Sequence, residues 1–246
     1  MAEHVDVIVR AAGSLEAALG EVIRDFEAAT GIPVSSRFGP SGVLRANIEN
    51  GEPVHVFASA DMAHPQKLHT LGRAGPVRRF AGNALCALVQ PELCVESATI
   101  LDALLDPGVR LGISTPGADP SGDYAWQMFE KAEALRLGAF RRLENKAEAL
   151  TGTIDAPYPP EYRTRYGWIM AERKTDVFLT YVSNAILTKR QFPELQIVAL
   201  PEPLHVGASY GLTLIDGAPA SAGQLIEHIL SPFGQGVFAA YGFEDG

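Results

Sequence analysis

Three serines stand beside glycine where an apolar strand pattern gives way to a helical one: Ser14 in "AAGSL", Ser41 in "GPSGV" and Ser121 in "DPSGD". The ordinary use of serine at such a corner is as an N-cap, its hydroxyl accepting an early helix N–H for a gain of ~1 kcal/mol. The neighbouring glycine opens a second use. Without a Cβ the backbone can approach a ligand closely and leave its N–H groups exposed. Each helix start also carries a partial charge of roughly +0.5 from those unpaired groups. A corner of this kind holds an oxyanion without lysine or arginine. Two corners from one lobe and a third from another would clamp an anion.

Other chemistries fit the residues less well. Ser41 lacks the G-x-S-x-G elbow of a nucleophilic serine, and no histidine and carboxylate can be assigned as its base and orienter. No lysine follows "GPSG" as it would in a phosphate-binding P-loop. His55, His64, His69, His205 and His228 form no ligand pair, and His64 and His69 are five apart, wrong for one helical face. The expectation is a binding protein with no catalytic residues, no metal ligands and no cofactor.

The elements that must carry these corners alternate along the chain. "VDVIVRAA" reads as a strand, "SLEAALGEVIRDFEAATG" as a helix stopped by Gly31, "IPVSSRF" as a strand, "SGVLRANIENG" as a helix and "VHVFASA" as a third strand. A second set follows from "ALCALVQ" through "ILDALLDP", "VRLGIST", "SGDYAWQMFEKAEALR", "TDVFLTY", "SNAILTKR" and "LQIVALP". "ASYGLTLI" and a helical tail, "SAGQLIEHILSPFGQGVFAAYGF", complete the chain. β-α steps of this kind favour parallel sheets covered by helices, with ligands outside the carboxyl ends of the strands. Two sets of similar size predict an α/β chain of two lobes, one from residues 1–82 and 203–246 and the other from 83–202, crossing near "GNALCALV" and "VGASYGLTL".

The 246 residues are enough for two such lobes. A formal net charge of −9, with scattered basic residues, argues against nucleic acid as a partner. No apolar run approaches a membrane span, and the start has no signal-peptide pattern, so the chain reads as cytosolic or as a mature segment given a start methionine. Cys86 and Cys94 are spaced for a disulfide across a strand end in an oxidising compartment, or are two buried thiols.

The combination of "AAGSLEAAL", "GPSGVLRANIENGEPVHVFASAD", "NALCALV", "DPSGDYA", "VFLTYVSNA" and "FGQGVFAAYGF" resembles the periplasmic molybdate-binding proteins of ABC transporters, over essentially the whole length. The resemblance implies a type II periplasmic binding protein fold: two lobes, each a mostly parallel sheet flanked by helices, with the ligand in the interlobe cleft. It implies a dehydrated molybdate or tungstate held by neutral donors. By residue match these are Ser14 and Ser41 in the first lobe, Ser121 at the second-lobe helix start and the Tyr181 hydroxyl. Gly42 and Gly122 would add backbone donors or permit the turn. A membrane permease is the implied partner, the periplasm the implied location, and a monomer the implied state.

Two departures from the family pattern stand out. His55 occupies the place of an acidic residue in the "ADLFISAD"-like strand, where it reads as a packed or rim histidine. The long segment "DAPYPPEYRTRYG", with Tyr158, Tyr162, Arg163, Arg165 and Tyr166, interrupts the region of a second-lobe backbone contact. It reads either as a solvated loop or as the source of an arginine, Arg163 or Arg165, that pairs with the anion. In the latter case the ligand could be sulfate, phosphate or a small phosphorylated or carboxylated organic acid.

Overall fold

The alternation of strand and helix is realised as ten hydrogen-bonded strands with helices packed on them. The computed structural model describes residues 6–153, 159–160 and 163–246. In chain order the first elements are β1 (Val7–Ala12), α1 (Glu16–Thr30), β2 (Val34–Gly39), α2 (Ser41–Glu49), β3 (Val56–Ser59), α3 (Ala63–Thr70) and β4 (Arg78–Val89). There follow α4 (Ile100–Leu105), β5 (Leu111–Ser114), α5 (Pro120–Leu135), α6 (Ala139–Lys146), β6 (Ala147–Thr151), α7 (Arg165–Ala171), β7 (Val177–Tyr181), α8 (Val182–Gln191) and β8 (Gln196–Ala199). The chain ends with β9 (Gly207–Leu214), α9 (Ala220–Ile229), α10 (Pro232–Ala240) and β10 (Glu244–Asp245).

These elements make two compact units, one of the described residues up to Asn83 with Ser209–Gly246, the other of those within Ala84–Ala208. The second boundary falls six residues beyond the 203 expected from sequence. The cause is apolar: Leu204 and Val206 are buried in the core cluster of the second unit, with Leu85, Val89 and Phe129.

In the first unit β1 pairs in parallel with β2 and β3, and β3 pairs antiparallel with β9. α1 owes its length to Ala18, Leu19, Val22, Ile23 and Phe26, all buried on one face, and Gly31 in the left-handed conformation ends it. In the second unit β4 pairs antiparallel with β7 and β8, and β5 pairs in parallel with β7 and β6. This sheet is covered on both faces, as its strands show by alternation. Leu85, Ala87, Val89, Val177 and Leu179 enter one core cluster, whereas Cys86, Leu88 and Phe178 enter another.

The two cysteines behave differently from either expectation. Cys86 is buried in β4 and Cys94 is exposed in a left-handed turn, and both are free thiols. The C-terminal tail is two helices, because Ser231 caps a new one by accepting the Gly234 N–H and Pro232 cannot continue the old one. Among the described residues no helix is long and apolar enough to cross a membrane.

Candidate functional site

In the first unit the serine corners are brought side by side by strand register. Ala12, the last residue of β1, pairs with Gly39, the last of β2, so both strands end at the same edge. After β1 the chain makes a single 3-10 turn, Gly13–Leu15, into α1; after β2 it turns at Pro40 into α2. A Cβ on Gly13 would lie 4.0 Å from the Gly39 carbonyl oxygen, which shows how closely the corners approach.

Neither serine caps its helix. The N-cap of α1 is Leu15 and that of α2 is Pro40, both without a side-chain cap bond. Ser14, half-buried, has its Oγ 2.9 Å from the Tyr210 hydroxyl. Ser41, 1% exposed, accepts the Ala60 N–H at 3.2 Å and keeps its own proton available. Ser41 and the buried Gly42 occupy the first two positions of α2, where α-helical geometry offers their N–H groups no acceptor within the helix. His55 stands at the rim of this sheet, where its Nδ1 accepts the Ile8 N–H at 3.0 Å, a structural task. Asp61 accepts from Ser59 Oγ at 2.8 Å and from the His64 N–H at 3.0 Å, holding the turn between β3 and α3.

In the second unit the corner between β5 and α5 is built differently. The cap of α5 is Asp119, whose carboxylate accepts the Ser121 N–H at 3.1 Å, with Pro120 in the first turn. Ser121 is therefore relieved of capping. Its Oγ is buried and has no hydrogen-bond partner among the described residues. Gly122 serves packing: a Cβ there would sit 2.5 Å from the Ser114 carbonyl oxygen, and its N–H already donates to the Asp119 carbonyl at 2.9 Å. Of the two uses expected for Gly122, the structure shows the turn and not the donor.

Tyr181 ends β7 and begins α8, with 1% of its surface exposed. Its ring meets Tyr124 of α5 edge-on, with centroids 6.1 Å apart. Leu111 pairs with Val177 and Gly112 with Phe178, so the carboxyl ends of β5 and β7 lie beside each other and bring the Ser121 and Tyr181 corners together.

Arg163 has contacts near the far end of α8. Its backbone N–H donates to Pro160 at 2.9 Å, and its guanidinium lies 5.9 Å from the centre of the Phe192 ring. Phe192 closes the C-terminal end of α8 whereas Tyr181 stands at its start, and ten helical residues separate them by about 15 Å. The arginine near the α5 corner is Arg165, whose charge acts on Asp119. Tyr158 and Tyr162 lie outside the described residues.

Asp119 and Tyr166 are members of this corner to which the sequence reading gave no role of their own. Burial pushes the Asp119 carboxyl up to about 6, Asp123 adds to the rise, and the Ser121 N–H, Arg165 and Ser114 oppose it. The Tyr166 phenol is raised chiefly by burial and next by the Asp119 charge, while bonds to Thr180 and Ser114 oppose the shift. Ser114 Oγ also lies 2.8 Å from Thr151 Oγ1. The available signal was the dipeptide Asp119-Pro120, an N-cap followed by proline at the first helical position. Among the described residues no group of three or more His, Cys, Asp or Glu could hold a metal ion.

Hydroxyls at helix starts, outside the carboxyl ends of strands in two mixed α/β units, are the arrangement of a protein class that binds small solutes. The chain belongs to the family described as bacterial extracellular solute-binding protein, whose model matches residues 7–244. It is 33% identical to an uncharacterized protein of Pasteurella multocida strain Pm70 over 200 residues, covering 81% of each chain. It is 27% identical to the molybdate-binding protein ModA of Escherichia coli K12 over 257 residues, covering 99% of this chain and 90% of that one. Among solved structures, the periplasmic molybdate-binding protein of Azotobacter vinelandii superposes with a TM-score of 0.78 at 21% identity, covering 97% and 98% of the two chains. The sulfate-binding protein SubI of Mycobacterium tuberculosis H37Rv does so with a TM-score of 0.81 at 16% identity, covering 98% and 87%.

Proposed function

We propose that this chain is the solute-binding component of an ABC importer and binds a tetrahedral oxyanion, molybdate or tungstate. Ser14, Ser41 and the first N–H groups of α2 serve the anion from the first unit, and Ser121 and Tyr181 serve it from the second. The observation that carries the reading is Ser121, whose buried hydroxyl has no partner among the described residues, a state that costs ~1–3 kcal/mol unless something accepts its proton. An oxyanion at the start of α5 is the acceptor that the helix itself favours. The names and folds of the relatives support the ligand class, as does the freedom of all three serines from capping. No cofactor is needed, the partner is a membrane permease, the location is the periplasm and the working state is a monomer.

Asp119 and Arg165 beside Ser121 favour one alternative, in which the same fold takes sulfate, phosphate or a small phosphorylated or carboxylated organic acid. A site of neutral donors has no use for these charged groups, whereas a ligand with a proton or hydroxyl of its own does. Thermal unfolding of the full chain with molybdate, tungstate, sulfate, phosphate and small organic acids separates the readings. A ligand at about a hundred times its Kd adds ~2.7 kcal/mol, which raises Tm by ~2–4 °C per kcal/mol for a chain of this size. A rise with molybdate and tungstate alone supports the first reading, and a rise only with another anion replaces it.

A further inference from the structure

Ser14 serves an anion only if its hydroxyl proton points away from the protein. Its oxygen is 2.9 Å from the Tyr210 oxygen, a contact in which either group could donate. A bias on the direction comes from one step further back. Asn83 Nδ2, which can only donate, lies 3.4 Å from the same Tyr210 oxygen. With that oxygen already accepting from Asn83, donation of the phenolic proton to Ser14 Oγ is favoured, and in that arrangement the proton of Ser14 is left for a ligand. We infer that Asn83 and Tyr210 are positioning residues, a relay that makes Ser14 a hydrogen-bond donor toward the solute. The inference rests on the proposed role of Ser14 at the anion site.

The surroundings hold this relay in place. Tyr210 is fully buried, and its ring meets Phe80 and Phe243 edge-on at centroid distances of 6.3 and 5.5 Å. Phe238 packs edge-on against both of those rings, at 5.4 and 5.5 Å, which completes an aromatic box with one polar end. Asn83 is 1% exposed, so its bond to the phenol forms away from bulk water, where linked hydrogen bonds strengthen one another. Both residues stand where the chain leaves and re-enters the first unit: Asn83 is its last residue on β4 and Tyr210 its second on β9.

The test is a double-mutant cycle on molybdate affinity, measured by calorimetric titration of the full chain. Tyr210→Phe keeps the ring in its box and removes the donor. It is expected to weaken binding about five- to tenfold alone, and by less than about twofold when Ser14 is already alanine. An unchanged affinity, or the same loss with and without Ser14, overturns the relay, because a purely structural effect of Tyr210 would not depend on Ser14. If Tyr210→Phe does not fold, Asn83→Leu, which removes the donor at similar volume, runs the same cycle with an expected loss of about two- to fourfold. Should Ser14→Ala leave affinity unchanged while Ser121→Ala lowers it, the relay fails and the anion site stands without Ser14. Should neither lower it, the anion site itself has failed.

Discussion

Replacing Ser121 with alanine should move stability and affinity in opposite directions. Without ligand the Ser121 hydroxyl is buried and has no hydrogen-bond partner among the described residues. Its removal relieves a desolvation cost of ~1 kcal/mol, the low end for an unsatisfied buried group, and raises Tm by ~2–4 °C. With an oxyanion bound, the same hydroxyl makes a charge-assisted bond of ~1.5–3 kcal/mol, so affinity falls by roughly ten- to 150-fold. Ser41→Ala provides the contrast. Its hydroxyl also accepts the Ala60 N–H, so the change lowers affinity and costs ~0.5–1.5 kcal/mol of stability as well. Denaturant unfolding without ligand and titration with molybdate measure the two quantities separately. A Ser121→Ala protein that is less stable and binds as tightly as the parent would refute the reasoning, because the hydroxyl would then be serving the fold.

Three further outcomes follow from the same geometry. Asp119 titrates near 6 in the folded chain against an ordinary value of 3.8, so the native state holds the proton more firmly and stability falls as pH rises from about 4 to about 6, then levels. Asp119→Asn, which keeps an oxygen for the Ser121 N–H, should flatten that slope by at most ~3 kcal/mol in urea unfolding at pH 4 and pH 8, and an unchanged slope would place the titration elsewhere. Gly122→Ala should cost at least ~2 kcal/mol, because its Cβ would meet the Ser114 carbonyl oxygen at 2.5 Å and backbone must shift; a neutral outcome in chemical denaturation would contradict the tight corner. In native protein a thiol reagent should modify exposed Cys94 and spare Cys86, whose thiol is buried and pushed up to about 12 by that burial, with unfolding releasing the second equivalent.

The strand and helix pattern carried most of the architecture because its apolar spacing was strong: α1 and the fully buried β3 and β7 lie within a residue or two of the segments expected. β6 was not legible. Its sequence, "AEALT", is rich in helix-favouring residues, and its strand state comes from parallel pairing with β5 at an edge, a non-local fact. The length of β4 was underread for a related reason, since its first residues, Arg78 and Arg79, are charged and exposed. At the site, the serine and glycine corners were readable from local chemistry. The partners that orient them were not: Tyr210 is 196 residues from Ser14, and Asn83 is 127 from Tyr210. The choice between a solvated loop and an anion-pairing Arg163 or Arg165 stayed open in the sequence, because a loop rich in Pro and Tyr gives no register by which to aim a side chain.

The central claim is that neutral donors on these corners hold one tetrahedral oxyanion. Calorimetric titration of the full chain with molybdate tests it most directly. The account predicts saturable binding of one molybdate per chain, matched by tungstate and weakened at least about tenfold in the Ser121→Ala protein. Absence of binding by either oxyanion, or binding indifferent to Ser121, would contradict it.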